Sequence, residues 1–332
     1  MMVRPGKSST PIPPIALRVI AALGVLASLW ISPRTSFGTV VRFQTNVGNI
    51  DVRLYDAATP LSVANFLNYV TTDRYDGTFI HRVPQKMLPD QSTVTSDFVV
   101  QGGGFLLNNS IFAAEGIVTD DPVMNEPGIS NLRGTISYAK GADPNSATSQ
   151  WFFNISDNIF LDSPDKGAFT AFGRVVRNTM NVVDLINDLP TVNASAAETP
   201  LTAEDFDEVP VLDLAQVINQ NDITSADAVM ILNIYVRNTP PGDYNFNGVV
   251  TALDLPIWEA DFGSHLKADA DGNGNGVVDG KDFLLWQRNF DPNSGFPVST
   301  VPEPHSIGLS AFAILLTAAL RRCWRAIQLN AI

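Results

Sequence analysis

The chain reads as mainly β: a closed antiparallel barrel capped by two helices, followed by a small α-helical unit. Three observations predict this. Short apolar runs separated by Gly, Asn and Pro recur from Val40 to Val176, the punctuation of many short strands. Two segments, Thr59 to Val70 and Thr179 to Leu189, carry the apolar period of helices. Further on, a loop rich in Asp, Asn and Gly occurs twice, each copy followed by apolar residues at helical spacing.

Val41 and Phe43 alternate with polar neighbours, Asn46 to Asn49 punctuates, and Ile50, Val52 and Leu54 alternate again, which predicts a hairpin. Thr59 before Pro60 is an N-cap followed by proline at the first helical position, and Val63, Phe66, Leu67 and Val70 follow on one face. Phe98, Val99 and Val100 form a short buried strand, and Gly102-Gly103-Gly104 lets a backbone or ligand come close. The second helix places Val182, Leu185, Ile186 and Leu189 on one face and stops at Pro190. Asn193 to Asp207 reads as a polar loop, and Val209 to Val217 as the strand that closes the barrel.

At 332 residues the chain exceeds the usual single domain. Its net charge of −13 excludes a phosphate-binding, nucleic-acid partner, because such surfaces need clustered Lys and Arg. Much of the acid lies after Glu204, where it suggests cation binding. The single cysteine, Cys323, rules out an intrachain disulfide.

The stretch from Phe79 to Phe105 carries the candidate chemistry. Arg82 is a permanent cation with a rigid fork of donors, suited to hold a neutral acceptor at one place. No nucleophile is paired with a base, so the stretch can bind and polarise a peptide but is not built to cut one. Together with GTISYAK (Gly134 to Lys140), NSATSQWFFN (Asn145 to Asn154), Phe160-Leu161-Asp162 and FTAFGRV (Phe169 to Val175), it resembles the cyclophilins, which are peptidyl-prolyl cis-trans isomerases. The resemblance runs over most of Val40 to about Ala215. It implies that Arg82 is catalytic and that Phe98, Val99, Phe152 and Leu161 wall a proline pocket. It further implies that Gln101 and Gln150 hold the substrate backbone, that the peptide lies beside Ala139 and Lys140, and that His81, next to the arginine, belongs with the substrate-binding residues; nothing in the chemistry needs it as a base, and it reads as structural support there. Proline-containing polypeptides are then the partners, and isomerisation needs no cofactor. The sequence departs from the family pattern in three places. Gln85 to Asp97 is a longer, polar insert, which either rims the pocket or displaces its wall. Phe169 stands where many eukaryotic members have histidine, and Phe160 where they have tryptophan, which implies weak cyclosporin binding.

The repeated loops are DYNFNGVVTALD, Asp243 to Asp254, and DGNGNGVVDGKD, Asp271 to Asp282. Each places oxygen side chains at positions 1, 3, 5, 9 and 12, with Gly at 6, the spacing that wraps one hard cation. The calcium ligands are therefore Asp243, Asn245, Asn247, Val249 (main chain), Thr251 and Asp254, and Asp271, Asn273, Asn275, Val277 (main chain), Asp279 and Asp282. Duplication extends to Trp258 with Trp286 and Phe262 with Phe290. With Asp at position 12 and one helix per loop, the pair resembles dockerin type I repeats, whose partner is a cohesin-like module. Three carboxylates against two predict tighter binding in the second loop. Asn221 to Val236 reads as the tail of a further repeat or as a linking helix.

Arg4, Lys7 and Arg18, an apolar run from Val19 to Ile31 and Ser36-Phe37-Gly38 have the layout of a signal peptide or, uncleaved, an anchor. Val301-Pro302-Glu303-Pro304, the apolar run Ile307 to Leu320 and Arg321, Arg322 and Arg325 resemble a PEP-CTERM sorting signal, which implies processing by an exosortase-type enzyme. A plain C-terminal anchor is the other reading. The expected organisation is a leader at 1–38, an isomerase domain at 39–219, a dockerin-like domain at 220–295 and a sorting segment at 300–326. The expected location is the periplasm, outer envelope or extracellular matrix of a Gram-negative bacterium. Two other functions fit the same sequence: a non-catalytic proline-peptide binding module, and an assembly protein displayed through its dockerin-like part.

Overall fold

The computed structural model describes residues 37–87, 93–95, 97–194 and 206–292. The apolar run of the expected leader and the expected C-terminal sorting segment lie outside them. Among the described residues no helix is long and apolar enough to cross a membrane.

Strands β1 (Val40–Thr45) and β2 (Gly48–Leu54) pair as the alternation predicts, Phe43 opposite Ile50 and Val41 opposite Val52. Helix α1 spans Pro60–Thr71 with proline in its first turn. Thr59 makes no side-chain cap. The free N–H groups of Leu61 and Ser62 donate instead to the Glu126 carboxylate at 3.2 and 2.8 Å, a favourable place for an anion. The insert forms its own hairpin, β3 (Gln85–Met87) with β4 (Thr93–Thr95). Then come β5 (Val99–Gly102), the hairpin of β6 (Phe105–Leu107) and β7 (Ala114–Gly116), β8 (Thr135–Tyr138), β9 (Trp151–Asn154) and β10 (Ala171–Val176). Helix α2 covers Met180–Asn187. Its buried apolar residues are Val183 and Ile186, whereas Leu185, expected on the buried face, is 48% exposed.

The expected closed barrel is corrected to a curled half-barrel. Seven antiparallel strands run in the order β13-β1-β2-β10-β8-β9-β5, and the outermost two, β5 and β13 (Ile231–Val236), do not pair. Residues 77–83 fill the seam between them. Phe79 bridges Met230 on one side and Arg82 bridges Gln101 on the other. Isolated bridges replace a ladder, and they fix the backbone of Arg82.

The segment Val209 to Val217 is not the closing strand. It gives a two-residue strand β12 (Val209–Pro210), paired with β11 (Thr191–Val192), and then helix α3 (Leu214–Gln220). The chain returns to the sheet later: Ile231 to Val236, expected to be helical, pairs with β1, Phe43 opposite Ile234. Tertiary pairing overrides the local pattern there, and the sheet extends past residue 219.

Inside the curl, Phe43 lies 5.0 Å from Trp151, 5.4 Å from Phe153 and 5.9 Å from Phe66, which reaches in from α1. The glycine run serves this core. A Cβ at Gly102 would come within 2.9 Å of the Trp151 ring, and one at Gly104 within 2.9 Å of Gln150. The close neighbour is thus an indole and an amide side chain of β9 and its approach. Helices α4 (Leu255–Asp261) and α5 (Gly280–Asn289) each follow one of the repeated loops.

Candidate active site and repeated loops

Strand alternation creates the candidate cleft. On β5 and β9, Val100 and Phe153 face the core, whereas Val99, Gln101 and Phe152 face outward. Val99, Phe152 and Leu161 gather there in one apolar cluster, with Phe98, Ala139 and Phe169 packed against it. Leu161 is carried by the 3-10 turn Ile159–Asp162. Phe169 stands 6.0 Å from Phe152, edge to face, and Lys140 Nζ lies 4.3 Å from the Phe169 ring centre.

Beside this wall, Gln101 Nε2 donates to Gln150 Oε1 at 2.8 Å, and Ala139 N donates to Gln150 O at 2.9 Å. Arg82 exchanges main-chain hydrogen bonds with Gln101, N to O at 3.4 Å and O from N at 2.9 Å. The structure therefore brings Arg82, Phe98, Val99, Gln101, Ala139, Lys140, Gln150, Phe152 and Leu161 to one place. Two neighbours went unforeseen. Asp207 Oδ1 lies 3.8 Å from Arg82 Nε, and Glu208 Oε2 lies 3.6 Å from Nη2. Both acids address the same edge of the guanidinium and orient it. They are remote in sequence and carry no local signal that would have marked them.

His81, expected with the substrate-binding residues, belongs instead to the interior, where no peptide reaches it. It is fully buried, edge-on to Phe105 at 4.8 Å, and so supports the site from beneath. Burial, with Arg82 adjacent, pushes its pKa down to about 3, so at neutral pH the ring carries no charge. An unfolded histidine titrates near 6.5. Between those values only the unfolded chain takes up the proton, so the stability that neutral His81 maintains is lost as pH falls below about 6.5. Between pH 7 and 5 the urea-unfolding free energy should fall about 2 kcal/mol less in His81→Gln than in wild type. Equal falls in the two proteins would show that His81 does not stay neutral.

The two loops have matching internal bonds. In the first, Asp243 accepts from the N–H groups of Asn247 and Gly248, and Asp254 from those of Asn245 and Thr251. In the second, Asp271 accepts from Asn275 and Gly276, and Asp282 from Asn273 and Asp279. Asp279 also caps α5 through Lys281 N. The helices cross-tie the pair: Trp258 Nε1 donates to Asp279 O, and Trp286 Nε1 to Thr251 O. Asp243, Asp254, Asp271 and Asp282 are all at most 1% exposed, and none makes an ion pair among the described residues. Burial raises the Asp243, Asp271 and Asp282 carboxyls, the last to about 7. Among the described residues no three His, Cys, Asp or Glu side chains converge on one point. The loops offer amide and main-chain oxygens beside the carboxylates. Asn273 fits such a role, because both polar atoms of its side chain are buried without a hydrogen-bond partner.

The family model for cyclophilin type peptidyl-prolyl cis-trans isomerases matches residues 40–206. This chain belongs to that family. The cyclophilin is 40% identical over 170 residues to a peptidyl-prolyl cis-trans isomerase of Acinetobacter baylyi, covering 50% of this chain and 81% of that one. It is 35% identical over 158 residues to peptidyl-prolyl cis-trans isomerase B of Escherichia coli, covering 46% and 86%. Among solved structures, a Cryptosporidium parvum cyclophilin crystallised in the presence of the dipeptide Ala-Pro matches with a TM-score of 0.39 at 19% identity, over 60% of this cyclophilin and 99% of that chain.

Proposed function

We propose that this peptidyl-prolyl cis-trans isomerase turns X-Pro bonds by seating proline against Val99, Phe152 and Leu161 while Arg82 stabilises the twisted amide. Amide resonance sets a barrier of about 18 to 20 kcal/mol. A donor at the prolyl nitrogen favours the pyramidal form, in which that resonance is lost, and so acts on the transition state more than on either isomer. The observation that carries the reading is the main-chain bridge between Arg82 and Gln101, which holds the backbone of Arg82 beside the strand that carries Val99 and Gln101. Gln101 and Gln150 supply the neighbouring polar groups for a peptide backbone. The test is turnover of a proline peptide by the full chain, with and without Arg82.

The repeated loops are proposed to bind calcium, and the unit they build is proposed to dock a cohesin-like partner. Four buried carboxylates without ion pairs are costly unless a cation completes them, and calcium supplies that charge. So small an apolar interior, Tyr244, Ala270 and Val278 with the half-buried Ile257, Trp258 and Trp286 packed against them, predicts that metal orders the unit. Adding chelator to the full chain should lower its helical circular dichroism signal and quench the Trp258 and Trp286 environment, both reversed by calcium. Full helix content in excess chelator would sink the idea. The clients are proposed to be exported proteins, from the basic and apolar leader and the Pro-Glu-Pro tail, which an exosortase-type enzyme would process.

A further inference from the structure

We infer that the loop Asp271 to Asp282 is also the clasp that seats the helical unit on the half-barrel, so that cation affinity and docking depend on each other. This rests on the calcium reading. The contacts are largely main chain. Gly38 N donates to Gly272 O at 2.9 Å and Ala57 N to Gly274 O at 3.1 Å. Just before the loop, Arg53 Nη2 donates to Asp269 O at 3.0 Å, and Arg177 N to Asp269 Oδ1 at 2.9 Å.

The two loops differ in sequence where this contact needs them to. Positions 2 and 4 are Tyr244 and Phe246 in the first loop but Gly272 and Gly274 in the second. Phe246 adopts φ 59 and Gly274 φ 66, so the loop conformation itself tolerates a side chain at position 4. What forbids one at 274 is the barrel: a Cβ there would lie 2.8 Å from Leu54 O and 2.9 Å from Asp56 N. Phe246 meets the same barrel face differently. It packs with Val40, Val176 and Ala268, and Arg53 and Arg177 lie 5.2 and 5.3 Å from its ring centre. One loop is laid bare against the strands and the other is anchored by an aromatic ring.

A cation that fixes the second loop also fixes the carbonyls of Gly272 and Gly274, which the barrel reads. By linkage, a docked barrel must then raise cation affinity by the same factor. The test uses the full chain, stripped of metal, titrated with calcium in a calorimeter and followed by hydrogen exchange over 38–57. In wild type, calcium should slow exchange at Ala57, whose amide donates to Gly274 O. Gly274→Asn, whose new side chain tolerates this φ but meets Leu54 and Asp56, should weaken one of the two sites about tenfold and abolish the slowing. Arg53→Met, which removes both the bond to Asp269 O and the guanidinium over the Phe246 ring, should act in the same direction, and decides alone if Gly274→Asn does not fold. Wild-type affinity and wild-type slowing in the folded variants would overturn the coupling and leave the calcium reading standing. A wild-type chain that takes up no calcium would overturn both.

Discussion

Arg82→Ala should lower kcat/KM for an X-Pro peptide by about 100- to 1,000-fold, the usual cost of removing one preorganised donor from a site where charge or lone-pair density develops. The loss should sit in kcat. The apolar wall of Val99, Phe152 and Leu161 is untouched, so ground-state binding of proline survives and KM changes little. Arg82→Lys keeps the charge but loses the fork that Asp207 and Glu208 address along one edge, and should recover only part of the rate. A protease-coupled assay on the full chain reads these numbers directly. A rise in KM at unchanged kcat would make Arg82 a binding group and put the catalytic contribution on other residues. The cleft would be a capture site if folded wild type failed to accelerate isomerisation at all.

Gly103→Ala should cost about 3 kcal/mol or more of stability. Gly103 has φ +80, and a Cβ there would fall within 2.6 Å of Trp151 Cδ1 and 3.0 Å of Ser149 O. Left-handed backbone in a non-glycine residue costs of order 1 to 2 kcal/mol, and forcing a group into a filled core adds typically 1 to 3. Trp151 cannot step aside, because Phe43 and Phe153 hold it at 5.0 and 5.2 Å. Urea unfolding of both proteins measures the difference. Equal midpoints would mean that the indole has room to move and that the glycine run has another purpose.

Much of the first half of the fold was legible from residues alone. The β1–β2 hairpin and α1 follow from period and punctuation, because each forms from neighbours in sequence. The seam was not legible. Gly77 to Val83 sits between two strand edges, and nothing local distinguishes isolated bridges from a ladder. Ile231 to Val236 misled for the same reason: apolar residues there fit a helix or a strand, and β1, far away in the chain, decides. The cleft shows the limit most clearly. Val99 and Val100 look alike in sequence, yet one faces the cleft and the other the core, and only the family resemblance told them apart. The glycine run reads in sequence as room for a backbone or a ligand, whereas what it accommodates is the side chains of Trp151 and Gln150.

The place of β13 bears on how the chain comes to be folded. Among the described strands β1 is the first made, and its outer neighbour is the last. A chain delivered N-terminus first, from a ribosome or through an export pore, must carry the bare edge of β1 until Val236 has emerged. Long-range pairing of this kind slows folding, and an open edge recruits other chains. For this interval a protein that isomerises prolines in others would itself depend on a holding chaperone, and a chain stopped at residue 219 would never leave it.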